Sequence, residues 1–77
     1  MRAYVLVRVQ TGREREALEA LQSIASLEEI HFLFGEYDYI LTLQAADTAT
    51  LATLITSHIR KAPGVVQTIT LLEAPLA

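Results

Sequence analysis

The chain has 77 residues, of which 52% are hydrophobic and 19% charged, and it contains no cysteine and carries a net charge of −3. A chain of this length forms one domain that buries only about 60% of its unfolded surface, so we expect self-association to complete its core. The composition excludes disulfides, thiolate metal sites and a cysteine nucleophile, and the acidic balance disfavours direct nucleic-acid binding.

The first two elements are predicted to be a strand and a helix. Residues 4–10 alternate as a strand does, with three valines on one face. Thr11 and Glu14 have the spacing of a capping box, in which the two side chains bond to free backbone N–H groups of the first turn. Apolar residues recur at helical spacing from Ala17 onward, so we expect an amphipathic helix that ends at about residue 25.

A hairpin is predicted next. Residues 28–34 and residues 37–44 are both strand-like runs. Gly35 and Glu36 stand between them and are short enough to join the two runs as antiparallel strands.

The last two elements are predicted to be a second helix and a fourth strand. Asp47 stands where an N-cap is expected, and the apolar residues that follow share one helical face as far as Arg60 and Lys61. A Pro-Gly pair then stops the helix, and residues 65–73 form the final strand.

These elements follow the order βαββαβ, which is that of the ferredoxin-like fold in the α+β class. In this fold, right-handed crossovers place two helices on one face of a four-stranded antiparallel sheet. The alternation predicts that one set of side chains faces the helices: Val5, Val7, Val9, Tyr39, Leu41 and Leu43. It predicts a second apolar set on the helix-free face: Tyr4, Leu6, Ile40, Val66 and Leu72. We expect a second subunit to cover that face.

Four features of the chain resemble one known family. They are a strand that ends at Phe34, the turn Gly35-Glu36-Tyr37-Asp38, the run Pro63-Gly64-Val65, and a threonine-rich last strand. Together they resemble the Lrp/AsnC transcription regulators over essentially the whole chain. The resemblance is confined to the C-terminal effector-binding and assembly module, the RAM domain, because the helix-turn-helix domain of those regulators has no counterpart here.

The resemblance implies a stand-alone, non-enzymatic effector-binding and oligomerisation domain over residues 1–77. Modules of this kind pair through their sheets into dimers of the dimeric α/β-barrel type, and the dimers associate into higher oligomers. Small amino-acid effectors bind between dimers, so binding biases assembly and regulates transcription or amino-acid metabolism indirectly. Full-length Lrp/AsnC regulators are further partners that the resemblance suggests, through mixed assemblies.

The turn supplies groups suited to an amino acid, which is a zwitterion. Asp38 offers an acceptor for the ammonium group, and Gly35 with Glu36 forms a tight turn that exposes backbone N–H groups. Tyr37 can form a wall or a hydrogen bond. Two hydroxyls stand in the region where the family places effector contacts: those of Thr68 and Thr70. From sequence alone, Asp38 could equally accept backbone bonds in an Asx turn, and the threonines could be ordinary strand residues.

Two other classes of protein share this element order. One is a small dimeric α/β-barrel enzyme, similar to a monooxygenase, with His31 facing a cavity inside the dimer. The other is an ACT-like amino-acid-binding domain, which uses the turn after the first strand, here at Gly12.

The interpretation as an effector-binding module requires no catalytic residue, metal or cofactor. His31 has no second ligand at metal-binding spacing, and His58 is predicted to be a partly buried structural histidine on the second helix. Residues 1–10 do not resemble a signal peptide, and no segment approaches a membrane span. We therefore expect a cytoplasmic protein with no membrane or nucleic-acid partner.

Overall fold

The computed structural model describes residues 1–76 and contains the predicted elements in the predicted order. The strands are β1 (Arg2–Val9), β2 (Leu27–Phe32), β3 (Tyr39–Gln44) and β4 (Val65–Leu72). The helices are α1 (Glu14–Gln22) and α2 (Thr48–Leu54), and α2 continues as a π-helical segment, Ile55–Ile59. No helix in residues 1–76 is long and apolar enough to cross a membrane.

The four strands form one antiparallel sheet with the order β2-β3-β1-β4. The two central strands supply the side chains that the alternation assigned to the helices, and all of them are buried: Val5, Val7, Val9, Tyr39, Leu41 and Leu43. They pack against apolar residues of both helices: Ala17, Leu21, Leu51 and Ile59. The ferredoxin-like fold of the α+β class is confirmed.

The helix-free face of the sheet is apolar at its centre. Tyr4, Leu6 and Ile40 lie on it and are half-buried even in the single chain, because neighbouring strands cover their flanks. On β4, Ile69 and Leu71 stand opposite Leu6 and Tyr4, and both are exposed. Opposite residues of an antiparallel pair share a face, so these five side chains form one surface, the open face.

Of the β4 residues predicted for the open face, Leu72 lies on the other face and Val66 lies in a bulge. Leu72 stands opposite the buried Ala3, so it lies on the helix side and not on the open face. Val66 is the extra residue of a bulge at the start of β4, where Val9 pairs with Val65 and Arg8 pairs with Gln67. When both faces of a strand are apolar, the sequence does not show which side chains face the helices. A single bulge then moves every later side chain of the strand to the opposite face.

The start of α1 also differs from the prediction. Thr11 is not the N-cap, because the helix begins after Arg13, which makes no side-chain capping bond. The Glu14 carboxylate instead accepts a hydrogen bond from the backbone N–H of Gly12 at 2.9 Å. The helix ends at Gln22 and not at residue 25, and the Ser23 hydroxyl donates to the Ala20 carbonyl at 2.7 Å.

The second helix begins as predicted and then departs from an α-helix. The Asp47 carboxylate accepts a hydrogen bond from the backbone N–H of Thr50 at 2.8 Å, which confirms the N-cap. Further along, the N–H of Arg60 donates to the carbonyl of Ile55 at 2.8 Å, which is the spacing of a π-helix. His58 lies in this segment and is exposed, so the prediction of a partly buried histidine is wrong.

The connection between β2 and β3 is longer than the predicted Gly35-Glu36 turn. It spans residues 33–38 and is closed by a hydrogen bond of 2.9 Å from the N–H of Leu33 to the carbonyl of Asp38. We call this segment the β2–β3 loop. Tyr37 and Asp38 therefore belong to the loop and not to a strand.

Candidate functional site

The β2–β3 loop lies at the end of the sheet where β1 ends and β4 begins. The N–H of Asp38 donates to the carbonyl of Val7 at 2.9 Å, which ties the loop to the central strand. On the other side of β1, the N–H of Gln10 donates to the carbonyl of Gly64 at 2.7 Å. The loop and the start of β4 therefore occupy one end of the sheet and are separated by β1.

Asp38 has a structural partner on β1. Its Oδ2 atom accepts a hydrogen bond of 2.7 Å from the backbone N–H of Val9. Alternate residues of a strand direct their N–H groups toward the same neighbouring strand, so the N–H of Val9 points toward β3. At this position β3 has already ended. The Asp38 carboxylate therefore accepts the hydrogen bond that a longer β3 would accept from β1. Because its partner lies on β1, this bond is not that of an Asx turn within the loop. No hydrogen bond to its Oδ1 atom is found within residues 1–76.

Arg8 of β1 also holds the loop in place, and it was not among the site residues predicted from the sequence. Its Nε atom donates to the Glu36 carbonyl at 3.0 Å, and its guanidinium carbon lies 5.4 Å from the centroid of the Tyr37 ring. Its terminal nitrogens make no ion pair within the described part of the chain. The signal was present in the sequence as an arginine among the valines and leucine of β1.

Gly35 allows the loop to turn. Its φ angle is +118°, a conformation that residues other than glycine rarely adopt. An added Cβ would have no atom within 4 Å. The requirement for glycine is therefore one of backbone conformation and not of space. Phe34 stands before it and is fully exposed.

The two threonines of β4 lie across β1 from the loop. Thr68 and Thr70 stand opposite Val7 and Val5, so both face the helix side, and both are half-buried. Thr68 lines a cavity of about 270 Å³ together with Arg60 and Gln67. Thr70 lies outside that cavity, so only one of the two threonines joins a polar site.

Tyr39 links the loop to the first helix. Its hydroxyl donates to the backbone carbonyl of Glu14 at 3.2 Å. Burial raises the pKa of the Tyr39 phenol, and the charges of Asp38 and Glu14 raise it further. The phenol therefore stays protonated at neutral pH and holds α1 against the beginning of β3.

The loop end of the sheet thus combines the two charges that a zwitterion needs. Asp38 supplies a carboxylate with one oxygen unoccupied by the chain, and Arg8 supplies a guanidinium whose orientation is fixed by Glu36 and Tyr37. A carboxylate binds an ammonium group and a guanidinium binds a carboxylate, which are the two charged groups of an amino acid.

The residues named for the other protein classes are less well placed. His31 stands opposite Ile40, on the helix-free side of the sheet, as a barrel enzyme would require. Its side chain is exposed, however, and its Nε2 atom lies 3.6 Å from the Oε1 atom of Glu29. Gly12 lies in an exposed turn. In the described residues, no three His, Asp or Glu side chains are grouped as a metal site would need.

Comparison with known proteins identifies the family. Residues 2–73 match the family model described as the Lrp/AsnC ligand binding domain. The chain belongs to this family. Membership in the Lrp/AsnC family favours a regulatory ligand-binding domain over the barrel-enzyme and ACT-like classes.

Relatives of this Lrp/AsnC domain include whole regulators. It is 29% identical over 74 residues to an uncharacterised HTH-type transcriptional regulator of Pyrococcus furiosus, an alignment that covers 92% of this chain and 49% of the regulator. The chain therefore spans about half the length of the curated relatives it matches.

Solved structures share its fold. The crystal structure of FFRP-DM1 is 32% identical with a TM-score of 0.89, and the match covers 95% of this chain and 97% of that one. The transcriptional regulator NMB0573 of Neisseria meningitidis, solved in complex with L-Met, matches with a TM-score of 0.84 at 16% identity, over 94% of this chain and 49% of that one. At that identity the second likeness shows the fold alone.

Proposed function

We propose that this Lrp/AsnC domain binds a small amino acid at the loop end of its sheet, and that binding promotes the association of dimers into higher oligomers. The observation that carries the proposal is that a carboxylate of the β2–β3 loop, Asp38, and a guanidinium of β1 that bonds to the loop, Arg8, lie at the same end of the sheet. The regulator NMB0573, which has the same fold, was solved with L-Met, and this supports an effector of the amino-acid class.

Each group of the loop has a role in the proposed site. The Oδ1 atom of Asp38 accepts hydrogen bonds from the effector ammonium, while Oδ2 remains on Val9. The effector carboxylate binds the terminal nitrogens of Arg8 and the backbone N–H groups around Gly35. The Tyr37 ring, held by Arg8, forms one wall, and Glu36 contributes the carbonyl that orients the guanidinium.

The start of β4 forms the other half of the proposed site. Thr68, Arg60 and Gln67 line a polar cavity across β1 from the loop, so the same chain does not offer them to the same ligand. We assign them to the neighbouring dimer, whose β4 meets the loop in the assembly. We propose that Thr70, which lies on the same strand but outside this cavity, contributes to the site from a greater distance.

The open face is proposed as the dimer interface. Its apolar side chains include Ile69 and Leu71, which are exposed in the single chain. A second copy that covers them removes this apolar surface from water, which is the main favourable term in association. Arg2, at the rim of this face, already forms ion pairs with Glu28 and with Glu73.

Regulation follows from linkage and requires no catalysis. A ligand that binds the assembled state better than free dimers shifts the population toward assembly. We propose that the domain acts in the cytoplasm in this way and influences transcription or amino-acid metabolism indirectly. Full-length Lrp/AsnC regulators are candidate partners, because a shared open face would allow mixed dimers.

The test is light scattering of the whole chain with each of the twenty amino acids, together with its melting temperature. A bound effector at 100 times its Kd should stabilise the fold by about 2.7 kcal/mol. One or a few amino acids are expected to raise both the mass and the melting temperature. A dimer whose mass and melting temperature no amino acid changes would refute the proposal.

A further inference from the structure

A second cavity lies between the two helices and shares no residue with the β2–β3 loop or with β4. It has a volume of about 500 Å³, within the roughly 300–1,000 Å³ typical of small-molecule sites. Its walls come from the end of α1, the turn that follows it, and the π-helical segment with the residues just beyond. We call this cavity the interhelical groove.

The groove combines an apolar floor with a polar rim. Apolar side chains from both helices and from the turns that follow them line it: Ala20, Ile24, Leu54 and Ala62. Five polar side chains complete the lining: Ser23, Ser26, Ser57, His58 and Lys61. The Ser23 hydroxyl already donates to the Ala20 carbonyl, so it can only accept further bonds.

The permanently charged side chain in the lining of the groove is that of Lys61, and it is positive. The chain carries nine acidic residues against six Lys and Arg, yet no Asp or Glu lines the groove. His58 and Lys61 both line the groove. Neither side chain makes an ion pair within residues 1–76. A basic rim without acid partners selects an anionic ligand.

The π-helical segment exposes this rim. The bond from the Arg60 N–H to the Ile55 carbonyl adds a residue to the turn, which keeps Ile59 buried and leaves Ser57 and His58 exposed at the groove. Single π turns are energetically poorer than α turns and occur frequently at functional sites.

We propose that the interhelical groove binds a short aliphatic carboxylate. The carboxylate bonds to the ammonium of Lys61 and to the hydroxyls of Ser26 and Ser57, and the aliphatic tail lies on Ile24 and Leu54. This site is separate from the amino-acid site, since the two share no residue, and it selects a ligand with a negative charge and no ammonium group.

The test uses hexanoate as the probe and the methyl NMR signals of isoleucine and leucine as reporters. Hexylamine and hexanol have the same number of carbon atoms, with the opposite charge and with no charge. Hexanoate should shift the methyl signals of Ile24 and Leu54 in a saturable way, and the other two compounds should not. Equal shifts with all three would show that only the tail is recognised, and shifts confined to the sheet residues would place the ligand elsewhere; either result overturns the proposal.

Two substitutions and a control separate this site from general electrostatics. Lys61→Gln removes one charged hydrogen bond and should weaken hexanoate binding about tenfold or more. Ser57→Phe, at an exposed position, should fill the groove and abolish binding. Arg15→Gln changes the net charge equally but lies on α1 at a different cavity, beside Tyr39, so it should leave hexanoate affinity unchanged. If Arg15→Gln weakens binding as much as Lys61→Gln, the groove is not the site. Failure of the amino-acid panel would leave these results unaffected.

Discussion

The Oδ2 atom of Asp38 accepts a hydrogen bond from the backbone N–H of Val9 at 2.7 Å, and this bond extends the β1–β3 ladder past the last residue of β3. One carboxylate therefore has a structural bond through one oxygen and, in the proposed site, an ammonium ligand on the other. Substitutions can separate the two roles.

Asp38→Ala removes the acceptor and leaves a partly buried N–H unsatisfied, so it should lower the free energy of unfolding by about 1–3 kcal/mol. Asp38→Asn keeps a carbonyl oxygen for Val9 and should cost much less, while both variants lose the charge and bind the effector weakly. Urea denaturation and calorimetry measure the two effects. If Asp38→Ala is as stable as the wild type, the bond to Val9 does not contribute; if Asp38→Asn keeps full affinity, the ammonium assignment is wrong.

Leu71 and Leu72 provide a matched test of the dimer interface. Both are 51% exposed, but Leu71 lies on the open face and Leu72 on the helix side. Leu71→Lys should convert dimers to monomers, because it places a charge in an apolar contact. Leu72→Lys should leave the dimer intact. Sedimentation or light scattering distinguishes the two outcomes, and a monomeric Leu72→Lys together with a dimeric Leu71→Lys would assign the interface to the opposite face.

Gly35 and Gly64 both have positive φ angles but differ in their surroundings. An alanine Cβ at position 35 would meet nothing within 4 Å, whereas one at position 64 would lie 2.9 Å from the Cβ of Arg13. Gly35→Ala should therefore cost about 1–2 kcal/mol from backbone strain alone. Gly64→Ala should cost about 1–3 kcal/mol more, because β4 and α1 must also move apart. Thermal unfolding of both variants gives the comparison, and equal losses would contradict it.

Asp47 should contribute to the pH dependence of stability. The backbone N–H and the side chain of Thr50 hold the pKa of Asp47 below its usual value. A depressed pKa means that the stabilisation is fully present above the unfolded pKa and is lost as the pH falls through the lower, folded pKa. Asp47→Asn retains a capping oxygen but does not titrate, so its melting temperature should fall less than that of the wild type between about pH 6 and pH 3. Parallel acid profiles would show that the cap does not depend on charge.

The core and the order of elements could be predicted because they follow from short-range patterns. The valines of β1 alternate strictly, and that alternation placed all of them against the helices. The N-cap at Asp47 needs only its own backbone neighbours, and it was predicted for the same reason. Both are local regularities that tertiary contacts reinforced.

The rest depended on long-range geometry that a linear pattern does not contain. The facing of Leu72 depends on a bulge between β1 and β4, and the exposure of His58 depends on a π turn. The role of Arg8 arises only when β1 approaches a loop 28 positions away in sequence. In the candidate site, Gly35 and Asp38 were recognised by motif, but the bond from Val9 could not be anticipated.

The π turn after α2 contains one residue more than an α-helical turn over the same stretch would need. Two turns of an ordinary helix take about seven residues, but eight positions separate the buried Leu51 from the buried Ile59. The core would be equally satisfied by a sequence with one residue fewer between them, since an α-helix would then return to the same side. We therefore expect that deletion of one residue between Leu51 and Ile59 leaves both side chains buried and mainly alters the lining of the groove.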